Sequence, residues 1–305
     1  MPLLAVNHHY YRSVSTGKGI YPTTPEALAV SVCKIRDAGW TIINQTQLLD
    51  YLAGRRPAAA RVCVLTFDDG LKEQIEAVKH LLDMDACAIC FVPTAPLLDH
   101  VVLDVHKLQM IRSVMDDAEL AARLDQEFSF GTYAFDENLL AIQYRYDEPL
   151  SRKVKYYLNF VLTEAQRGSL VNELFAALFG DERAAAATLY MDTDDLKWLA
   201  GHALFGSHGH AHLPLATLES DHLQAELSDS FEVLTRLAGA PPVGISYPYG
   251  GASAVSKAVF DRSRQVGYRY GFTMERGITP DPTSLDMMAL RRIDTNDLDK
   301  WLADG

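Results

Sequence analysis

A run of strand-forming residues, Val62 to Phe67, stops abruptly at Asp68-Asp69-Gly70, and a second apolar run, Cys87 to Val92, follows soon after. Between them Ile75, Val78 and Leu82 share one face at helical spacing. Two buried strands joined by an amphipathic helix make a βαβ unit, whose strands run parallel and need cover on both faces. The same alternation holds on either side. Leu3 to Asn7 reads as a strand, and Thr24-Pro25-Glu26 opens a helix that runs to Ala38 and is closed by Gly39. Trp40 to Ile43 is strand-like, Thr46 to Leu52 a short helix, and Arg55 to Ala60 a loop. Towards the end, strands over Ala203–Phe205, Val243–Tyr247, Tyr268–Met274 and Met288–Ile293 alternate with helices over Asp192–Ala200, Glu219–Leu237 and Val255–Val266, and a last helix starts at Asn296. An α/β fold with a largely parallel sheet follows.

The middle of the chain breaks this rhythm. The stretch from Asp69 to His208 far exceeds the roughly 60–70 residues that two βα units of a barrel occupy. The surplus, 99–191, has helical spacing: Leu108, Ile111 and Met115 share a face, as do Leu170, Leu174 and Leu178. Thr163 with Gln166 forms a capping box, and Gly180 a stop. No linker composition flanks it. The expectation is one domain spanning 1–305, with 99–191 as a helical insertion packed on it and covering or lining its site.

Composition excludes several classes of function. With 28 basic and 40 acidic residues the net charge is −12, which argues against a sequence-independent grip on nucleic acid or an anionic membrane. No apolar stretch approaches the roughly 18 residues of a membrane-spanning helix. The N-terminus carries no basic residue before Asn7-His8-His9, unlike a secretory signal, so a cytoplasmic protein is expected. Cys87 and Cys90 form a C-x-x-C, but without a second pair and inside an apolar run they read as buried packing.

Chemistry concentrates at strand ends. Adjacent carboxylates at Asp68 and Asp69 repel each other unless a cation or a proton is shared; the plainer alternative is a helix cap and turn. Gly206-Ser207-His208-Gly209-His210-Ala211-His212 gathers three of the ten histidines just after a strand. Spacing of four puts His208 and His212 on one face of a helical turn; spacing of two pairs His210 with either neighbour on an extended chain. Ser246-Tyr247-Pro248-Tyr249-Gly250 lies at a third strand end and also reads as a simple turn.

Together and in this order, the segments resemble the polysaccharide deacetylase family, carbohydrate esterases with a nodulation-protein-B homology domain. Thr66-Phe67-Asp68-Asp69-Gly70 matches its first motif, Ser207-His208-x-x-x-His212 its second, and Ser246-Tyr247-Pro248-Tyr249-Gly250 its third. Leu290-Arg291-Arg292-Ile293-Asp294 is similar to an Arg-containing strand near the end of many members. The resemblance implies a distorted parallel (β/α) barrel of about seven strands; the helical insertion lies outside the part it covers and is expected after the second barrel strand. It implies that Asp69, His208 and His212 bind a divalent metal, most often zinc, that Asp68 is the general base, and that the Tyr249 N–H faces the oxyanion. The reaction implied is removal of an N-acyl group from an amino sugar or sugar conjugate in polysaccharide biosynthesis.

Two departures matter. The family's C-terminal Leu-x-His motif, source of the general acid, is absent, since no histidine follows His222. His8, His9, His106 and His210 are the candidates left. Ser246 also stands where many members carry the Arg that holds the base, a role Arg292 can fill by a bidentate grip on Asp68. A cytoplasmic enzyme would meet a nucleotide-linked or lipid-linked sugar rather than a wall polymer. The competing functions are a metal-binding carbohydrate-recognition protein without activity and an amidase on a non-sugar amide.

Overall fold

The computed structural model describes residues 2–13, 22–55, 61–281 and 286–303. Most of the loop expected over Arg55 to Ala60 therefore lies outside the described residues. Eight strands form one sheet: β1 (Leu3–His8), β2 (Trp40–Ile42), β3 (Arg61–Phe67), β4 (Ala88–Val92), β5 (Phe205–Ser207), β6 (Gly244–Ser246), β7 (Tyr270–Arg276) and β8 (Leu290–Asp294). β1 pairs with both β3 and β8, so seven parallel strands, all but β2, close into a barrel. β2 lies outside the ring on β3 at Arg61–Cys63, and β4 pairs with β3 further along, at Leu65–Phe67. The distorted (β/α) barrel is thus the observed fold.

Alternation along the strands separates two buried faces. Leu4, Val6, Cys63, Leu65, Cys90 and Ile293 point outward under the surrounding helices. Leu3, Ala5, Val62, Val64, Phe91, Phe272 and Leu290 belong to the inner set. Continued upward, that inner column turns polar: Asn7 follows Ala5, Thr66 and Asp68 follow Val64, and Arg292 follows Leu290, all of them buried. The barrel is therefore sealed by hydrocarbon below and lined with hydrogen-bonding groups at its C-terminal end.

So narrow a ring needs glycine opposite its aromatic side chains. A Cβ on Gly206 would lie 2.5 Å from the Phe91 ring, and one on Gly244 2.1 Å from Cζ of Tyr270. The helix Gln45–Leu52 packs against the inner apolar set, and the Gln45 amide donates to Phe205 O and to the Tyr270 hydroxyl.

Most expected elements appear within a residue or two. The helix Pro25–Asp37 is capped by Thr24 with Pro25 in its first turn, and Thr193–Gly201 is capped by Asp192. The strand expected at Ala203–Phe205 instead spans Phe205–Ser207, because Ala203 takes φ 52° in closing the preceding helix. Met287–Ala289 is a 3-10 turn ahead of β8 rather than part of it.

The described chain divides into two units. One carries the barrel; the other, residues 102–185, is helical and has its own apolar core around Leu124, Val154 and Leu158. Within it Arg112 pairs with Asp117, Arg167 with Asp104, and the capping box of Thr163 and Gln166 is formed. This unit follows β4, the third strand of the ring, whereas the sequence placed it after the second. The miscount arises because β1 is itself a member of the ring while β2 is outside it.

Candidate metal centre

The ends of β3, β5 and β6 carry the aspartate pair, the histidines and Tyr249, and β1 and β8 add Asn7, His9 and Arg292. β3 delivers Asp68 inward as the next residue of the inner column. An extended chain would then point Asp69 to the opposite face. Instead Asp69 (φ 81°) and Gly70 (φ 64°) are both left-handed, which reverses the chain into the helix Glu73–Asp83 and lets both carboxylates serve one end of the barrel. Asp accepts this conformation better than most residues, and glycine accepts it freely. Gly70 is also tightly approached, since a Cβ there would lie 3.0 Å from Val92 Cγ1.

After β5 the chain passes through His208, left-handed Gly209 (φ 73°) and His212 (φ 58°). This turn brings His208 and His212, rather than His210, beside Asp69. Ligand atoms of Asp69, His208 and His212 converge within 4.8 Å of one another, all three residues buried. Oδ1 of Asp69 lies 3.4 Å from His208 Nε2 and 3.3 Å from His212 Nε2. His208 Nδ1 lies 2.7 Å from the Ser246 carbonyl oxygen, which only accepts, so Nδ1 carries the proton and Nε2 presents its lone pair to the centre. His210 turns away to Thr94, its Nδ1 2.9 Å from the hydroxyl.

Asp68 sits beside this trio in a clamp. Arg292, fully buried on β8, reaches it through two parallel bonds, Nη1 to Oδ1 at 2.9 Å and Nη2 to Oδ2 at 2.8 Å. Burial alone would raise the Asp68 pKa, but the Arg292 charge and hydrogen bonds outweigh it and hold the group down at about 2. Arg292 also donates to Asn7 Oδ1 (2.9 Å) and Ser246 Oγ (2.8 Å), while the Asn7 amide donates to Asp68 Oδ2 at 3.1 Å. Arg292 thus holds Asp68 from another strand, while Ser246 offers only its hydroxyl to the guanidinium.

Tyr249 follows β6 in the left-handed region (φ 61°), and its ring packs edge-on against His212 with centroids 4.9 Å apart. Of the four histidines considered as proton donors, His9 is the one set beside the trio among the described residues. Its Nδ1 lies 3.3 Å from Asp69 Oδ2, with 42% of the side chain exposed. Desolvation opposes its charge, but the hydrogen bond and charge of Asp69, with Asp68 and Asp294 behind, push its pKa up to about 9. His8 is buried, bonded to Thr23 Oγ1, and pushed down to about 4 chiefly by burial. His106 belongs to the helical unit.

Sequence reasoning passed over Asn7 and Ser246 as contributors. The available signal was parity: a polar residue continuing the inner column of a strand that is otherwise apolar.

A sequence profile described as polysaccharide deacetylase matches residues 193–271, which contain His208, His212 and the Tyr249 turn. Over that stretch, about a quarter of the chain, the sequence is similar to the polysaccharide deacetylase family. Solved structures with the same fold include Streptococcus pyogenes deacetylase PplD in complex with acetate (TM-score 0.61, 15% identity, covering 99% of this chain and 98% of that one). IcaB from Ammonifex degensii aligns with TM-score 0.57 and 13% identity over 99% of this chain and 98% of its own. The BpsB deacetylase domain from Bordetella bronchiseptica gives 0.56 and 15% over 96% and 95%. No curated protein matches in sequence. No helix among the described residues is long and apolar enough to cross a membrane.

Proposed function

We propose that this chain is a zinc-dependent hydrolase that removes an N-acyl group, acetyl in the first instance, from an amino sugar of a polysaccharide or sugar conjugate. One observation carries the reading: an Asp-His-His donor set, buried and convergent, stands next to a second aspartate locked by an arginine. Two imidazole nitrogens and one carboxylate oxygen suit zinc and leave its fourth position open. A divalent ion held by Asp69, His208 and His212 supplies Lewis acidity towards the acyl carbonyl and makes a neighbouring water more acidic.

The side chains account for the rest. Asp68, ionised at neutral pH, takes the proton of the attacking water. Oδ2 already accepts from Arg292 and Asn7, whereas Oδ1 accepts only from Arg292 among the bonds of the described residues, so Oδ1 is the receiving atom. Arg292 fixes that carboxylate in one rotamer. The backbone N–H of Tyr249, placed by the turn against His212, donates to the developing oxyanion. His9 delivers a proton to the departing amine. Water and the amide are consumed; a carboxylic acid and a free amine are released. Nothing in the described residues singles out a nucleotide or lipid carrier, so the class proposed is the acylated amino sugar itself.

The deciding experiment incubates the protein with chito-oligosaccharides and follows free amine and acetate together. Release that stops with chelator and returns with added zinc is expected. Absence of release from folded protein carrying one zinc, on chitin-type and peptidoglycan-type substrates alike, would replace the hydrolase with a binding protein.

A further inference from the structure

The helix Ser220–Ala238 turns a stripe of Leu223, Leu227 and Leu234 into the core, and two polar residues interrupt it one turn apart, Glu226 and Ser230. Both are buried, at 3% and 0% exposure. Each reaches the loop that carries the histidine ligands. Glu226 accepts the His210 N–H at 3.0 Å through Oε2 and the Ala211 N–H at 3.1 Å through both oxygens. Ser230 Oγ lies 3.0 Å from Ser207 Oγ, which accepts the Gly209 N–H at 3.1 Å. Three successive backbone donors between the two ligands are therefore held by side chains. A row of N–H groups bent by a left-handed residue is a natural anion cradle, and here a carboxylate of the chain itself fills it.

We infer that Glu226 is a positioning residue of the metal centre: by holding the His210 and Ala211 N–H groups it fixes the separation and aim of His208 and His212, and so sets the metal affinity. The opposite side of the loop is secured as well, since the Thr94 and Ala95 N–H groups donate to Gly209 O and His210 O at 3.2 and 3.0 Å. Those bonds tie the carbonyls and leave the N–H groups to Glu226. Without an acceptor, two buried donors must seek other partners, and the two ligand nitrogens drift apart. The inference rests on the metal reading above, and its test uses zinc alone, with no substrate.

Zinc dissociation constants are measured by competition with a chromogenic chelator for the wild type, Glu226→Met and Glu226→Gln, alongside the thermal midpoint of each apo form. Outer-shell partners of a metal site typically carry about 10–100-fold in affinity. Glu226→Met should weaken zinc binding by at least about tenfold on that basis. Glu226→Gln keeps one acceptor oxygen, so it should fall between the two and retain an apo midpoint close to wild type. A residue that merely supports the fold would lower the apo midpoint and leave the zinc constant of the folded protein unchanged. Equal zinc affinity in wild type and Glu226→Gln, with Glu226→Met equal too if it folds, overturns this inference and spares the metal centre. Failure of the wild type to bind zinc overturns the metal centre first.

Discussion

Replacing Arg292 with methionine removes the clamp on Asp68 while keeping the bulk of the side chain. Arg292 is wholly buried, and its guanidinium makes two bonds to Asp68 and one each to Asn7 Oδ1, Ser246 Oγ, Thr66 Oγ1 and Thr273 O. Without it, an ionised carboxylate stays in the barrel with the Asn7 amide as its remaining donor, and breaking a buried pair in this way costs about 3–5 kcal/mol. Titration gives a second handle. Asp68 is held at about 2 against an ordinary 3.8, and at roughly 1.4 kcal/mol per unit that shift corresponds to about 2 kcal/mol. The contribution is fully present above the unfolded value and is lost as pH falls towards 2, because the unfolded chain takes up the proton first. In the variant the sign reverses. Burial then governs, the folded pKa rises above 3.8, and stability declines as pH increases from about 4 towards the new value. Urea unfolding of metal-free wild type, R292M, D68N and the double variant at about pH 4, 5, 6 and 7 measures both effects. The D68N change should restore much of what R292M loses, with a coupling of about 2 kcal/mol or more. Losses that add to within about 0.5 kcal/mol would show the two residues to be independent and refute the clamp.

His212→Ala and Asp69→Asn should each lower zinc content, whereas His210→Ala, whose ring faces Thr94, should leave it near wild type; metal analysis of the purified proteins reads this directly. Asp68→Asn should retain zinc and lose about 10²–10⁴-fold in turnover, the usual weight of a general base, so full turnover would remove Asp68 from the mechanism. Gly244→Ala places a methyl where Tyr270 Cζ stands 2.1 Å away, and a loss of about 1–3 kcal/mol in urea unfolding is expected from the overpacking.

Much of the fold was legible because strands and helices alternate with distinct periods, and because the chemistry is concentrated at strand ends. The aspartate pair and the histidine cluster are each contiguous in sequence, so their residue types announce themselves. Spacing alone left His210 and His212 as rivals; the resemblance chose His212, and the turn at Gly209 is what brings it beside Asp69. Asn7 and Arg292 are separated by almost the whole chain and meet only because β1 and β8 pair to close the ring. Glu226 did leave a trace, a carboxylate in the middle of a leucine stripe, but the periodicity alone reads it as a helix boundary of the apolar face. The strand near Ala203 slipped because a left-handed alanine is invisible to propensity.

Asp69, His212 and Tyr249 share a backbone conformation that favours glycine, with φ of 81°, 58° and 61°. Each strains its L-side chain by roughly 1 kcal/mol or more relative to glycine, least for Asp. A folded chain with no chemistry to perform would relax if these positions mutated to glycine, becoming sturdier as it became inert. Directed selection for thermostability alone should therefore favour glycine at Asp69 and His212 at the expense of zinc binding, whereas glycine at Tyr249 keeps the backbone N–H assigned to the oxyanion. The tension between endurance and reactivity in this barrel is concentrated in two torsion angles, one after β3 and one after β5.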